Sequence, residues 1–183
     1  MSLRRRLGIA ALLLLAMAAG MALRTFVLPG PTLEAIADGV TVEDFSLPDL
    51  DGQPRRLSEF AGKTVVLNFW ASWCGPCLEE MPDFIDLQDR YRDRGVQFLG
   101  VAVEQAAPAR ELATRLKLNY PSLVGDLEAM DIARRLGNTA GVLPYTVLID
   151  TDGKVLARLE GRADPQDLEK WLNTVGAPRR ARD

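Results

Sequence analysis

The chain has two cysteines and no histidine, and both cysteines fall in one short motif, Trp73-Cys74-Gly75-Pro76-Cys77. Just before it, residues 64–71 (TVVLNFWA) form an unbroken apolar run rich in β-branched and aromatic side chains. Such a run reads as a strand buried on both faces, as in a parallel sheet. Just after it, Pro76 to about Arg94 reads as a helix. Its apolar stripe is Met81, Phe84, Ile85, Leu87 and Tyr91, Pro82 predicts a kink, and Gly95 is the stop. The motif therefore sits at a strand-to-helix junction. Two intervening residues form one helical turn, which brings both sulfurs within disulfide distance. Cys74 falls at the helix N-terminus, where unpaired N–H groups and the positive dipole end stabilise a thiolate and lower its pKa. Cys77 falls one turn in, shielded and able to attack a mixed disulfide from behind.

The cysteine count leaves one disulfide, one dithiol or two inert thiols. A merely stabilising bridge is a poor use of this spacing, because so short a loop constrains the unfolded chain little. The lack of histidine removes Ser–His, Cys–His and His-metal chemistry, and two cysteines alone cannot build a four-ligand zinc site. No metal or cofactor is expected, and the pair reads as redox-active. The net charge of −3 gives no basic face for nucleic acid.

The rest of the chain is organised around that junction. Its 183 residues suit one domain with a short extension. FSLPDL and QPRRL read as two short strands joined at Asp51-Gly52, with one helical turn at Ser58-Glu59-Phe60. Residues 96–104 read as a second buried strand, 108–118 as a helix with Pro108 at or near its first turn, 121–125 as a short strand and 127–137 as a helix. Residues 144–150 and 154–161 read as strands around an Asp152-Gly153 turn. Asp164 caps a last helix that opens with Pro165. Strands alternating with helices predict a mainly parallel sheet with an antiparallel edge.

Residues 1–30 stand apart. Arg4, Arg5 and Arg6 precede residues 7–23 (LGIAALLLLAMAAGMAL), which carry no charge. This is an export signal, near the shortest length that spans a bilayer. Small residues at Ala16-Met17-Ala18 and Gly20-Met21-Ala22 leave cleavage open, and a retained anchor is the favoured reading. The arginines stay cytoplasmic and the domain faces outward, where disulfides persist. The expected organisation is an anchor or signal peptide at 1–30, a linker at 31–41, the domain at 42–176 and a polar tail at 177–183. The expected place is the inner membrane, crossed once, with the catalytic domain in the periplasm; a cleaved periplasmic form is the alternative.

The run Asn68-Phe69-Trp70-Ala71-Ser72-Trp73-Cys74-Gly75-Pro76-Cys77, with Leu143-Pro144 later ahead of a strand, resembles thioredoxin-like proteins. More narrowly, it resembles the membrane-tethered TlpA/ResA/DsbE-type thiol-disulfide oxidoreductases, which are AhpC/TSA-like redoxins. The resemblance covers roughly residues 42–176. It implies an α/β thioredoxin-like fold: a mixed central sheet flanked by helices, an N-terminal β-hairpin, and a central αβ insert at 105–125. It further implies that Cys74 is the attacking cysteine and Cys77 the resolving one, the two forming a disulfide when oxidised. Pro144 matches a cis-proline facing the disulfide, and the Leu143 backbone would pair with an extended substrate. Thioredoxins proper carry a buried aspartate six positions before the first cysteine, where this chain has Asn68. Glu80, three residues after Cys77, matches a glutamate near the active site in this subfamily and is the candidate proton partner; a solvated helix carboxylate is its alternative, and Glu79 is assigned to solvent. Trp73, Leu143 and Tyr145 are the expected substrate contacts, and Trp70 is assigned to the core.

The implied function is reduction of disulfides in exported proteins, with electrons returned by a membrane thiol reductase of the DsbD or CcdA type. The Gly-Pro dipeptide supports a reducing poise. A part in cytochrome c maturation stays open: DsbE-type proteins dedicated to it tend to carry an acidic residue after the proline, and this chain has Tyr145. An oxidase of the same compartment is the first alternative. A thiol peroxidase would want Thr or Ser three residues before the reactive cysteine, where Ala71 stands. A Sco-type copper protein would need a wider cysteine spacing and a histidine.

Overall fold

Two aspartates build two hairpin turns in the same way. In Asp49-Leu50-Asp51-Gly52-Gln53, Asp49 Oδ1 accepts the N–H groups of Asp51 and Gln53, each at 2.9 Å. In Asp150-Thr151-Asp152-Gly153-Lys154, Asp150 Oδ1 accepts those of Asp152 at 2.9 Å and Lys154 at 2.8 Å. Gly52 and Gly153 take φ of 82° and 79°, which L-residues resist. The computed structural model describes residues 39–175. In it the first turn joins β1 (Ser46–Pro48) to β2 (Pro54–Arg56), followed by a 3-10 turn at Leu57–Phe60. The second joins β6 (Tyr145–Ile149) to β7 (Val155–Glu160).

The central sheet has the order β5-β4-β3-β6-β7. Its β3 (Thr64–Trp70), β4 (Val96–Ala102) and β5 (Ser122–Val124) run parallel, β6 runs antiparallel to β3, and β7 pairs antiparallel with β6 and so runs in the direction of the first three. The helices are α1 (Gly75–Tyr91), α2 (Ala106–Leu116), α3 (Leu127–Arg135) and α4 (Pro165–Val175). This is the mixed α/β architecture with an N-terminal hairpin and an inserted α2–β5 unit that the resemblance implied. The hairpin leans on the insert: Arg110 of α2 donates from Nε to the Leu50 carbonyl at 2.6 Å, and Asp49 bridges to Leu123.

Every residue of β3 is buried, as its apolar run required. Strand alternation divides it. Val65, Leu67 and Phe69 join Leu47, Phe60, Leu99, Val101, Ile132 and Val147 on the hairpin side. Val66 turns to the α1 side, among Phe84, Leu87, Phe98, Leu148, Leu168 and Leu172. Trp70 lies on that side too, its indole N–H donating to Ser122 Oγ at 3.1 Å. Gly100, opposite Asn68 in the β3–β4 register, makes room for it: a Cβ there would stand 2.8 Å from both Trp70 Nε1 and Ser122 Oγ.

Several boundaries differ from expectation. β4 ends at Ala102, opposite Trp70 at the end of β3, and the Val103 N–H makes the last bond of that ladder to the Trp70 carbonyl at 2.8 Å. Helix α1 stops at Tyr91 and tightens into a 3-10 turn at Arg92–Arg94, before Gly95 reverses direction at φ 75°. It runs on through Pro82. Helix α2 starts two residues early; Pro108 lies in its first turn, where the missing N–H has no intrahelical partner to lose. The expected anchor at 1–30, residues 31–38 of the linker and the tail at 177–183 lie outside the described residues. Among the described residues, no helix is long and apolar enough to cross a membrane.

Candidate active site

Strand β3 delivers the chain to its carboxyl edge, and a tight turn follows, in which Cys74 N–H donates to the Ala71 carbonyl at 3.1 Å. Cys74 is the N-cap of α1, and its sulfur accepts the Cys77 N–H at 3.3 Å. The cysteines form a disulfide, with S–S 2.06 Å and Cα–Cα 5.3 Å. Their surroundings differ. Cys74 is 6% exposed and Cys77 0%, while Trp73 beside them is 68% exposed. A reactant arriving from solvent meets Trp73 and the Cys74 sulfur first.

Behind Cys77 lies a carboxylate. Glu80 is 0% exposed, so it is not a solvated helix charge. Asn68 Nδ2 donates to its Oε1 at 2.8 Å, and the Ala163 N–H, just ahead of α4, donates to its Oε2 at 3.0 Å. The same Asn68 nitrogen donates to Thr146 Oγ1 at 3.0 Å. Burial pushes the Glu80 carboxyl up to about 7; the bonds from Ala163 and Asn68 and the Arg162 guanidinium pull the other way, and Asp83 adds to the rise. A carboxyl with that affinity can hold or release a proton near neutrality. Glu79 lies outside, paired with Arg162 at 3.0 Å.

A second carboxylate stands on the Cys74 side, and the sequence reading missed it. Glu104 is largely buried and accepts from Ser72 twice, from the backbone N–H at 2.6 Å and from Oγ at 2.7 Å. What brings them together is the β3–β4 register, which pairs Trp70 with Ala102 and so puts Ser72 and Glu104 equal steps beyond two adjoining strand ends; no local sequence pattern carries that register.

On the other flank the Leu143–Pro144 bond is cis, and Pro144 is buried just ahead of β6. Leu143 packs against the apolar cluster that contains Cys74, Cys77, Trp70 and Met81. The Pro144 carbonyl accepts the Gly161 N–H at 2.9 Å, which ties β7 to this edge. Tyr145 requires a correction. Expected among the substrate contacts, it is 1% exposed, and its hydroxyl donates to the Leu136 carbonyl at 2.8 Å. Strand alternation turns it to the hairpin side, beside Phe69. Its ring is core, and burial pushes its phenol up to about 12, so it remains a neutral donor.

Residues 37–172 match the Redoxin family model. The thiol-disulfide oxidoreductase ResA of Geobacillus kaustophilus is 37% identical over 142 residues, 77% of this chain and 79% of that protein. The ResA of Bacillus subtilis is 30% identical over 182 residues, 96% of each chain. Among solved structures, a DsbE-type thiol:disulfide interchange protein from Chlorobium tepidum superposes with a TM-score of 0.69 at 28% identity, covering 80% of this chain and all of that one.

Proposed function

The chain belongs to the redoxin family and is a thiol-disulfide oxidoreductase of the ResA/DsbE type, and from that premise we propose that it is a membrane-anchored, periplasm-facing dithiol that reduces disulfides in exported proteins. The observation that carries this reading is the inequality of the two sulfurs: one helix turn apart, one at the N-cap beside exposed Trp73, the other sealed in the core ahead of Glu80. The cycle starts from the reduced pair. The Cys74 thiolate attacks one sulfur of the substrate disulfide; that bond breaks, and the departing substrate sulfur takes up a proton. Cys77 gives its proton to the Glu80 carboxylate and attacks the Cys74 sulfur. The mixed disulfide breaks, and the second substrate thiol leaves with a proton. Two electrons have passed to the substrate, and the Cys74–Cys77 disulfide remains.

A membrane thiol reductase of the DsbD or CcdA type would return the two electrons. Trp73 and Leu143 would flank the substrate. The anchor rests on residues 7–23, and the likeness to the Bacillus subtilis ResA, which spans 96% of each chain, supports it by taking in the N-terminal segment. Disulfides in apocytochrome c are a substrate class in keeping with the DsbE-type likeness.

The full-length protein should reduce insulin in the presence of dithiothreitol, and Cys74→Ser should lose all of that activity. Cys77→Ser should instead accumulate a mixed disulfide through Cys74. A midpoint near −120 mV, the value typical of DsbA, would replace reductase by oxidase. Protease added outside intact spheroplasts should digest the domain; full protection would refute the outward orientation.

A further inference from the structure

The proton chemistry above uses Glu80 and leaves Glu104 without a role. We propose that Glu104 is a positioning residue: its carboxylate clasps Ser72 to hold the Trp73–Cys74 turn, and its charge keeps the Cys74–Cys77 pair reducing. The inference rests on the reading of Cys74 as the attacking thiol.

The geometry is specific. Ala71 to Cys74 forms a hydrogen-bonded turn, of a kind less than about 7 Å across, and Ser72 is its second residue. Both Glu104 oxygens are used on Ser72, one on its N–H and one on its Oγ. Val103, next to Glu104, ties back to Trp70. The end of β4 thus holds the last residue of β3 through Val103 and the turn that presents the nucleophile through Glu104. Both donors on Glu104 are neutral, and no ion pair among the described residues offsets its charge. A largely buried, uncompensated carboxylate is screened little by salt.

That charge acts against the helix. The N-terminus of α1 favours a thiolate at Cys74, and a strongly stabilised thiolate makes a dithiol oxidising. A carboxylate bonded two residues from Cys74 raises the cost of the thiolate and so favours the disulfide, which is the poise a reductase needs. The other charged groups nearby are Glu80, behind Cys77, and Asp126, whose Oδ2 accepts from Gln105 at 3.3 Å. Neither is bonded to the turn.

The test uses the full-length chain and two variants that separate charge from clasp. Glu104→Gln keeps an acceptor and removes the charge; Ser72→Ala removes one clasp bond and keeps the charge. The probes are equilibrium with reduced and oxidised glutathione, and the pH midpoint of Cys74 alkylation. Glu104→Gln should raise the equilibrium constant for reduction by glutathione about tenfold, equal to about 30 mV for this two-electron couple, and lower the alkylation midpoint. Ser72→Ala should raise the alkylation midpoint, because the charge stays and loses a donor. Shifts in the same direction in both variants would reduce Glu104 to a prop, and unchanged values would remove it altogether. If Glu104→Gln does not fold, Ser72→Ala decides alone: a raised midpoint supports the proposal, and a lowered or unchanged one overturns it. Failure of the unsubstituted chain to reduce insulin would instead count against the proposed function and leave these midpoints to be judged separately.

Discussion

The two faces of the central sheet are cut from the same strands and could hardly differ more in content. On the hairpin side, Val65, Leu67, Phe69, Leu99, Val101, Leu123, Val147 and Ile149 pack into one apolar mass, where the Tyr145 hydroxyl is satisfied by a backbone carbonyl. On the α1 side, apolar packing is interrupted by Asn68, Glu80, Gln88, Ser122 and Thr146, all buried. The first face is where the sheet gains stability from area removed from water. The second accepts the cost of buried polar groups and satisfies them through contacts reached only in the folded chain, such as the Ala163 N–H on Glu80. Chemistry lies on the face that bears this cost.

The division can be broken at Phe69. Truncation to Ala empties a large fully buried site on the dry face and should cost about 3–5 kcal/mol in denaturant unfolding, while the redox midpoint of the folded fraction stays put. A shifted midpoint would mean that the faces are not independent. On the polar face, the sharper measurement is stability against pH. The Glu80 carboxyl has its folded pKa raised from 4.5 to about 7, so the folded state holds a proton that the unfolded chain gives up. Its contribution is therefore full below about 4.5 and is lost as pH rises through about 7, a change of up to roughly 3 kcal/mol. Glu80→Gln should flatten that decline, and an unchanged profile would deny the raised affinity. The smallest effect is expected one residue away. Glu79→Gln breaks only an exposed pair with Arg162 and should leave unfolding, pH profile and activity as they were.

Much of this arrangement was legible in the sequence because it is local. The apolar run at 64–71, the two Asp-x-Asp-Gly turns and the cysteine pair at a helix start each carry their cause within a few residues. Spacing placed Glu80 on the helix face of Cys77 but not its depth, which depends on Asn68 on β3 and on Ala163, 83 residues away in sequence. Glu104 looked like the last residue of a strand, since nothing local marks where β4 lets go. Tyr145 was misplaced because its position after the proline said nothing about the face to which alternation would turn it.

Gly100 has a consequence for descent. A methyl group there would collide with the Trp70 indole and the Ser122 hydroxyl at once, so three residues on three strands occupy one shared volume. Single steps at position 100 are closed while the indole is present, and the way to a larger residue there leads through a smaller one at position 70 first. In lineages of chains like this one, positions 70, 100 and 122 should therefore change as a set, with 70 and 122 giving way before 100, and an alignment deep enough to catch the intermediates would show glycine at 100 surviving for as long as tryptophan does at 70.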